Sequence, residues 1–284
     1  MSDKTEKTVL AFGAGVQSTA LLMLALTRDI RFLAAGCGLP DLVVFADPGS
    51  EGAATYDHVD AMERRCVEAG VPFRRARFTK HGREMTLMEE IATEQRFSTI
   101  PAFSKNLKTG TVGMLGRSCT RDHKIRPIAR AIRQWLGVRA VMARTHLIHL
   151  QLGISKDEAD RAKSETQITW QTRQFPLLDL NWSRRDCERY LQGIGVWPVP
   201  KSACTFCPYQ ADWRWRQKYA ARGHDWLEAV QMDETLRGLN GRGNISGGVY
   251  LHRSAIPLAE LPFMKDGVDG DDAFSNECEG YCGV

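Results

Sequence analysis

The sequence predicts an α/β fold, a parallel sheet with helices on both faces, continued by a mostly helical C-terminal region. Strand-type apolar runs alternate with helix-period segments through the first half of the chain. The first run ends in glycines directly before a helix, and from Ser183 the helical pattern takes over. The 284 residues, 43% hydrophobic and 25% charged, suit one large or two ordinary domains and exclude disorder and collagen-like repeats.

Residues 9–12 (VLAF) form the first expected strand, Gly13-Ala14-Gly15 the turn, and residues 20–28 the helix that follows Ser18 and Thr19. A second buried-type strand, residues 42–46 (LVVFA), ends in Asp47-Pro48-Gly49. The next helix carries Tyr56, Val59, Met62 and Cys66 at apolar spacings of three and four, and Gly70 stops it. Residues 73–78 predict a third strand, residues 127–136 a helix and residues 138–143 (VRAVMA) a fourth strand. Residues 94–117, with Pro101, Gly110, Gly113 and Gly116, show no period and predict an irregular functional loop or lid. Ser183 and Asp186 signal a helix start that Gly193 or Gly195 ends.

The polar N-terminus MSDKTEKTV and an apolar stretch of only eight residues, 19–26, carry no secretory or membrane-spanning pattern. A soluble cytoplasmic protein with no membrane partner is expected, its eight cysteines serving as reduced thiols, metal ligands or catalytic groups. The net charge of +4 hides an uneven distribution. Residues 117–144 hold eight Lys/Arg and one acid, whereas residues 266–284 hold six acids and no base. After Pro127, Ile128, Ile132 and Leu136 mark one helix face and Arg126, Arg130 and Arg133 another, a stripe suited to successive phosphates. A second cluster interleaves Trp213, Trp215 and Tyr219 with Arg214, Arg216 and Lys218, the mixture that nucleic-acid surfaces use. Trp213 and Trp215 fall on different helix faces, so one belongs to the core.

Glycines at a strand-to-helix junction let backbone N–H groups and the helix dipole meet a phosphate. The turn is neither a Walker loop, since no Lys precedes Ser18-Thr19, nor a complete GxGxxG, since position 18 is Ser. Cys204-x-x-Cys207-Pro208 suits a metal or redox centre. Zinc and an iron–sulfur cluster stand about equal on the residues alone, while a thioredoxin-like pair lacks its βαβ context. Cys119 is a third candidate ligand; Cys278 and Cys282 follow in the acidic tail. Cys37, Cys66 and Cys187 read as packing residues.

The stretch FGAGVQST (residues 12–19) resembles the pyrophosphate loop of the PP-loop ATP pyrophosphatases, in the branch of the phosphoadenosine phosphosulfate (PAPS) reductase-like proteins. The resemblance continues through FADPGSE (45–51), SCTRDHKIRP (118–127), GISKDE (153–158) with Arg161, KSACTFCP (201–208) and ECEGYCG (277–283). Gly13, Ala14 and Gln17 depart from the usual Ser, Gly and Asp of the loop. The resemblance implies an adenine nucleotide α-hydrolase-like, Rossmann-like fold over residues 1–180, with residues 181–284 as a helical, cysteine-containing region. It implies ATP and Mg²⁺ held by Phe12, Gly13, Ala14, Gly15, Gln17, Ser18, Thr19, Asp47, Gly153, Lys156 and Arg161. It tips the cysteines to a [4Fe–4S] cluster on Cys119, Cys204 and Cys207, completed by Cys278 or Cys282. Alternatively, three cysteines leave one iron open to carry sulfide, with a tail cysteine as nucleophile.

Within the superfamily the chain looks like the ATP pyrophosphatases of DNA phosphorothioation. That branch implies Ser18, Asp47, Lys124 and Cys282 as catalytic and Arg121, Lys124, Arg126, Arg130, Arg133, Arg214 and Arg216 on nucleic acid. A cysteine desulfurase would be the sulfur source, and other subunits of a DNA-modification system further partners. A sulfonucleotide reductase is the alternative, against which stand the tail sequence and the lack of a Cys-Cys pair before the CxxC. A tRNA-thiolation enzyme or a nucleotide-sensing binding module is the next.

Overall fold

The computed structural model describes residues 4–94, 100–138, 145–163, 168–239 and 247–261. In chain order the described elements begin β1 (Thr5–Phe12), α1 (Val16–Leu26), α2 (Ile30–Ala34), β2 (Leu42–Ala46), α3 (Ala53–Glu68) and β3 (Phe73–Ala76). Next come β4 (Thr79–Lys80), β5 (Arg83–Glu84), α4 (Leu87–Glu94), β6 (Phe103–Asn106), β7 (Val112–Met114), a π-helical turn (Thr120–Ile125) and α5 (Arg126–Trp135). Then follow β8 (His146–Leu152), a 3₁₀ turn (Lys156–Arg161), β9 (Gln171–Gln174), α6 (Pro176–Asp179), α7 (Arg184–Gly193), α8 (Asp212–Ala221), α9 (His224–Gly238), β10 (Gly247–Tyr250) and a 3₁₀ turn (Leu258–Glu260).

The central sheet is five-stranded in the order β3-β2-β1-β8-β9. Every pairing in it is parallel. Alternation along β1 explains the two layers: Leu10 and Phe12 face a core built with α1, α3 and α7, while Val9 and Ala11 face one built with α5. All of residues 16–25 of α1 are buried, which is why that helix shows no amphipathic period. Ser183 caps α7 reciprocally with Asp186, and Cys187 and Leu191 of α7 pack into the α1 core. A third core joins Leu87 and Ile91 of α4 to Phe206, Trp215, Trp226, Met232 and Leu236.

Two expectations need correction, and a third, the fourth strand, falls mostly outside the described residues. Helix α1 begins at Val16, so Ser18 and Thr19 lie in its first turn. The strand beside β1 is His146–Leu152, because His146, His149 and Gln151 interrupt its apolar run without preventing pairing over seven residues of β1. Val138 lies outside any strand, and residues 139–143 of the expected fourth strand fall outside the described residues. Within the supposed irregular segment, β6 and β7 pair antiparallel with each other and β6 with β10, making a small sheet whose polar sequence hid it.

Candidate nucleotide and cysteine site

The parallel sheet ends its strands on one edge, where open α/β sheets bind ligands, and five sequence-distant segments meet there. β1 delivers buried Phe12 to the turn. Ala14 takes the left-handed conformation (φ 58°), and Gly15 caps α1. Ser18 Oγ accepts from Gly15 N–H at 3.2 Å and donates to the Gly15 carbonyl at 3.1 Å, closing the turn on itself. The first N–H groups of α1 and its dipole thus converge beside the glycines. Arg184, Lys201 and Ser202 border the same end, with Gly15 and Gln17.

Gly153 brings the segment after β8 onto this turn. A β-carbon there would lie 2.6 Å from Ser18 N, so no other residue permits the approach. The Ser155 hydroxyl and the Gln151 side-chain oxygen are buried without hydrogen-bond partners among the described residues. Gln17 donates to Glu158 at 3.4 Å, and Glu158 pairs with Arg161. Lys156 is exposed. Thr19 turns inward: fully buried, its hydroxyl meets His58 Nε2 at 2.9 Å. Burial, with Arg65 second, lowers the His58 pKa to about 4.

Asp47 is 3% exposed and has protein partners on both oxygens. It accepts from Gly49 N–H and the Tyr56 hydroxyl, each at 2.8 Å, and from Arg77 at 2.9 and 2.7 Å. Both the turn role and a charged anchor are therefore present. Glu51, unassigned by the sequence motif that contains it, is the carboxylate that faces the site. Its Oε2 accepts from Ser202 Oγ at 3.2 Å and its Oε1 stands 4.0 Å from Lys124 Nζ. Burial raises its pKa despite Lys124. Glu51, Lys124 and Ser202 line a small pocket with Phe12 and Gly13, so Lys124 does reach the glycine turn.

The CxxC loop docks beside Glu51. The Cys204 backbone pairs antiparallel with that of Glu51, and Thr205 N–H donates to the Ser50 carbonyl at 2.8 Å. Burial first, then the charge of Glu51, raises the Cys204 thiol pKa well above normal; Cys207 and Cys119 are near enough to add to the effect. Behind the loop, Lys218 donates to the Thr205 carbonyl and to Gln210 at 3.0 Å, while Gln210 Nε2 donates to the Cys207 carbonyl at 2.7 Å. Lys218 is thus a loop support, its pKa brought down to about 8 by burial. The Arg117 guanidinium lies 4.9 Å over the Tyr209 ring, tying the approach to Cys119 to the CxxC loop. Among the described residues no group of three His, Cys, Asp or Glu side chains is arranged to hold a metal ion. Cys278 and Cys282 lie outside the described residues.

No protein-family model matches the chain, and no curated protein matches it.

The π-helical turn positions Lys124. Its buried His123 bonds Glu90 of α4 at 2.7 Å and packs on Phe78 at 4.6 Å, a constellation sequence reasoning missed because His123 and Glu90 lie 33 positions apart. Arg121 and Arg126 both pair with Asp122, at 3.0 and 2.6 Å, and Arg126, Arg130 and Arg133 are exposed along α5 as the spacing required. Trp215 is 1% exposed and Trp213 40%, dividing core from surface. Arg214 lies 4.5 Å over the Trp213 ring and lines a cleft of about 560 Å³ between α3 and α8; Arg216 is half-buried. Cys66 and Cys187 are buried and Cys37 partly so, burial raising the first two thiols to about 12. No described helix is long and apolar enough to cross a membrane.

Proposed function

We propose that the protein is an ATP pyrophosphatase-type sulfur transferase acting on nucleic acid, most simply on a DNA backbone phosphate, with an adenine nucleotide α-hydrolase-like fold. The observation that carries this reading is the meeting of a glycine-capped helix start, Lys124 and the CxxC loop around Glu51. A phosphate cradle and a thiol pair on one sheet edge are what coupled adenylation and sulfur delivery require.

In this reading the N–H groups of Val16 to Ser18 receive the pyrophosphate end of ATP, aided by Arg184 and Lys201. A nonbridging oxygen of the substrate phosphate attacks the α-phosphorus, and pyrophosphate leaves. Lys124 neutralises charge developing between the substrate and the α-phosphate. A sulfide equivalent, released from a cysteine desulfurase persulfide by a thiol reductant that becomes a disulfide, then displaces AMP, so that sulfur replaces the activated oxygen. Mg²⁺ would enter on the nucleotide's phosphates, with Asp47 orienting Arg77 and Tyr56 beside them.

The donor chemistry of Cys119, Cys204 and Cys207 fits an iron–sulfur cluster, with the fourth ligand from Cys278 or Cys282. Such a group would supply a site for sulfide. The chain's own contribution is to hold the CxxC loop between Glu51 and Lys218, with the three thiols only partly exposed. A cytoplasmic setting, and further subunits of a modification system, follow from this reading.

Pyrophosphate release from ATP, measured with DNA, with tRNA and with neither, tests it. Stimulation by DNA supports the reading, and stimulation by tRNA alone moves the target to an RNA base. Sulfite formation from PAPS or adenylyl sulfate, without nucleic-acid-stimulated pyrophosphate release, would replace it by a reductase.

A further inference from the structure

Resting on nucleic acid as the substrate, we propose that the cleft between the edge strand β3 and α5 carries the phosphodiester backbone of one strand toward the glycine turn. β3 is the outer strand of the central sheet. Ala76 packs in the core under Ile128 and Ile132 of α5. Arg74, two residues earlier, therefore belongs to the same face. Arg75 takes the opposite face and pairs with Asp60 and Glu63 of α3, as alternation demands.

The resulting cleft, about 430 Å³, is lined by Arg74, Arg77, Thr79, Glu84, Arg130 and Gln134 among others. Arg74 and Arg130 are exposed and form no ion pair among the described residues. Arg77 closes the inner end: its guanidinium holds Asp47 at 2.7 Å while 41% of its side chain stays accessible. The cleft thus includes the residue that anchors Asp47 and extends along Pro127, Arg130 and Gln134 of α5. A cationic edge strand can serve only to block strand-to-strand aggregation. That role needs charge on the strand alone and gives no reason for Arg130 and Gln134 to face it from a helix. Arginines on two walls, with amide and hydroxyl groups between them and Glu84 outnumbered by the guanidiniums, match a chain of phosphates.

The test is fluorescence anisotropy of the full chain with labelled DNA and RNA oligonucleotides over a salt series. Arg74→Glu should weaken binding about tenfold and make the salt dependence shallower by about one ion, whereas Arg74→Lys should retain most of the affinity. Arg130→Gln, from the other wall, should show the same shift. Wild-type binding that Arg74→Glu and Arg130→Gln leave unchanged in affinity and salt slope overturns the track while leaving the sulfur-transfer reading intact. Displacement of the oligonucleotide by polyglutamate at equal charge concentration would assign the cleft to an acidic protein instead, and also overturns it. Failure of the unmodified protein to bind any nucleic acid removes the functional reading itself, and is seen before any variant is made.

Discussion

A β-carbon on Gly153 would stand 2.6 Å from the backbone nitrogen of Ser18 and 2.7 Å from its α-carbon. Both partners are backbone, one at the mouth of β8 and the other in the first turn of α1, so neither yields without moving an element. Gly153→Ala should cost about 1–3 kcal/mol by overpacking and should suppress pyrophosphate release. Gly238→Ala, at the last residue of α9, where an added methyl meets nothing within 4 Å, should keep activity and raise stability by no more than about 1 kcal/mol. Urea unfolding and a pyrophosphate assay on the two variants decide this; full activity in Gly153→Ala would show that the approach is not needed.

Ala14 occupies a left-handed conformation, φ 58°, with its side chain buried. An alanine there is strained by about 1 kcal/mol, which a glycine relieves while gaining unfolded-state entropy. Ala14→Gly should therefore shift stability by no more than about 1 kcal/mol and keep activity. Ala14→Val, β-branched in the same conformation, should lose more than about 2 kcal/mol. Denaturation midpoints of the pair check the prediction.

The sequence motifs and the folded site coincide closely at the glycine turn, residues 45–51, the Cys119–Lys124 segment, residues 153–161 and the CxxC loop. Short-range chemistry fixes these, and a parallel sheet gathers strand ends on one edge. Glu51 and Ser202 were not legible as a pair because their contact spans 151 positions. Asp47 and Thr19 looked equally suited to ligand, yet packing turned one onto Arg77 and the other onto His58. Strands β8 and β9 escaped notice because a paired backbone tolerates His, Gln and Arg where one face is half-exposed.

His58 predicts a pH dependence. Its folded pKa, about 4, lies below the ordinary value of 6.5, so acid favours the unfolded chain. The stabilisation is complete above about pH 6.5, is lost as the pH falls toward 4, and amounts to roughly 3 kcal/mol at most. His58→Gln should flatten the stability profile in that window. Unfolding free energies of both proteins between pH 4 and 7 should diverge in slope; parallel curves would contradict the assignment.

Glu90 and His123 form a buried pair at 2.7 Å, and His123 precedes Lys124. Removing one partner leaves the other desolvated, so Glu90→Ala should destabilise by about 2–3 kcal/mol. By loosening the π-helical turn it should also raise the KM for ATP. A stability loss below about 0.5 kcal/mol would mean the pair is dispensable.

Ser18 closes the glycine turn and Cys204 sits on a separate loop. Ser18→Ala should reduce pyrophosphate release while sparing iron content in anaerobically prepared protein, and Cys204→Ala should do the reverse. Protein that binds zinc and no iron would remove the cluster from the proposal.

The most direct measurement is mass spectrometry of nucleic acid after anaerobic incubation with the protein, ATP, a cysteine desulfurase, cysteine and a thiol reductant. The expected result is replacement of one oxygen by sulfur, dependent on ATP and matched by AMP and pyrophosphate. Nucleic acid recovered without sulfur, from a preparation that nevertheless releases pyrophosphate from ATP, would contradict sulfur transfer and leave the protein an ATP pyrophosphatase of another purpose.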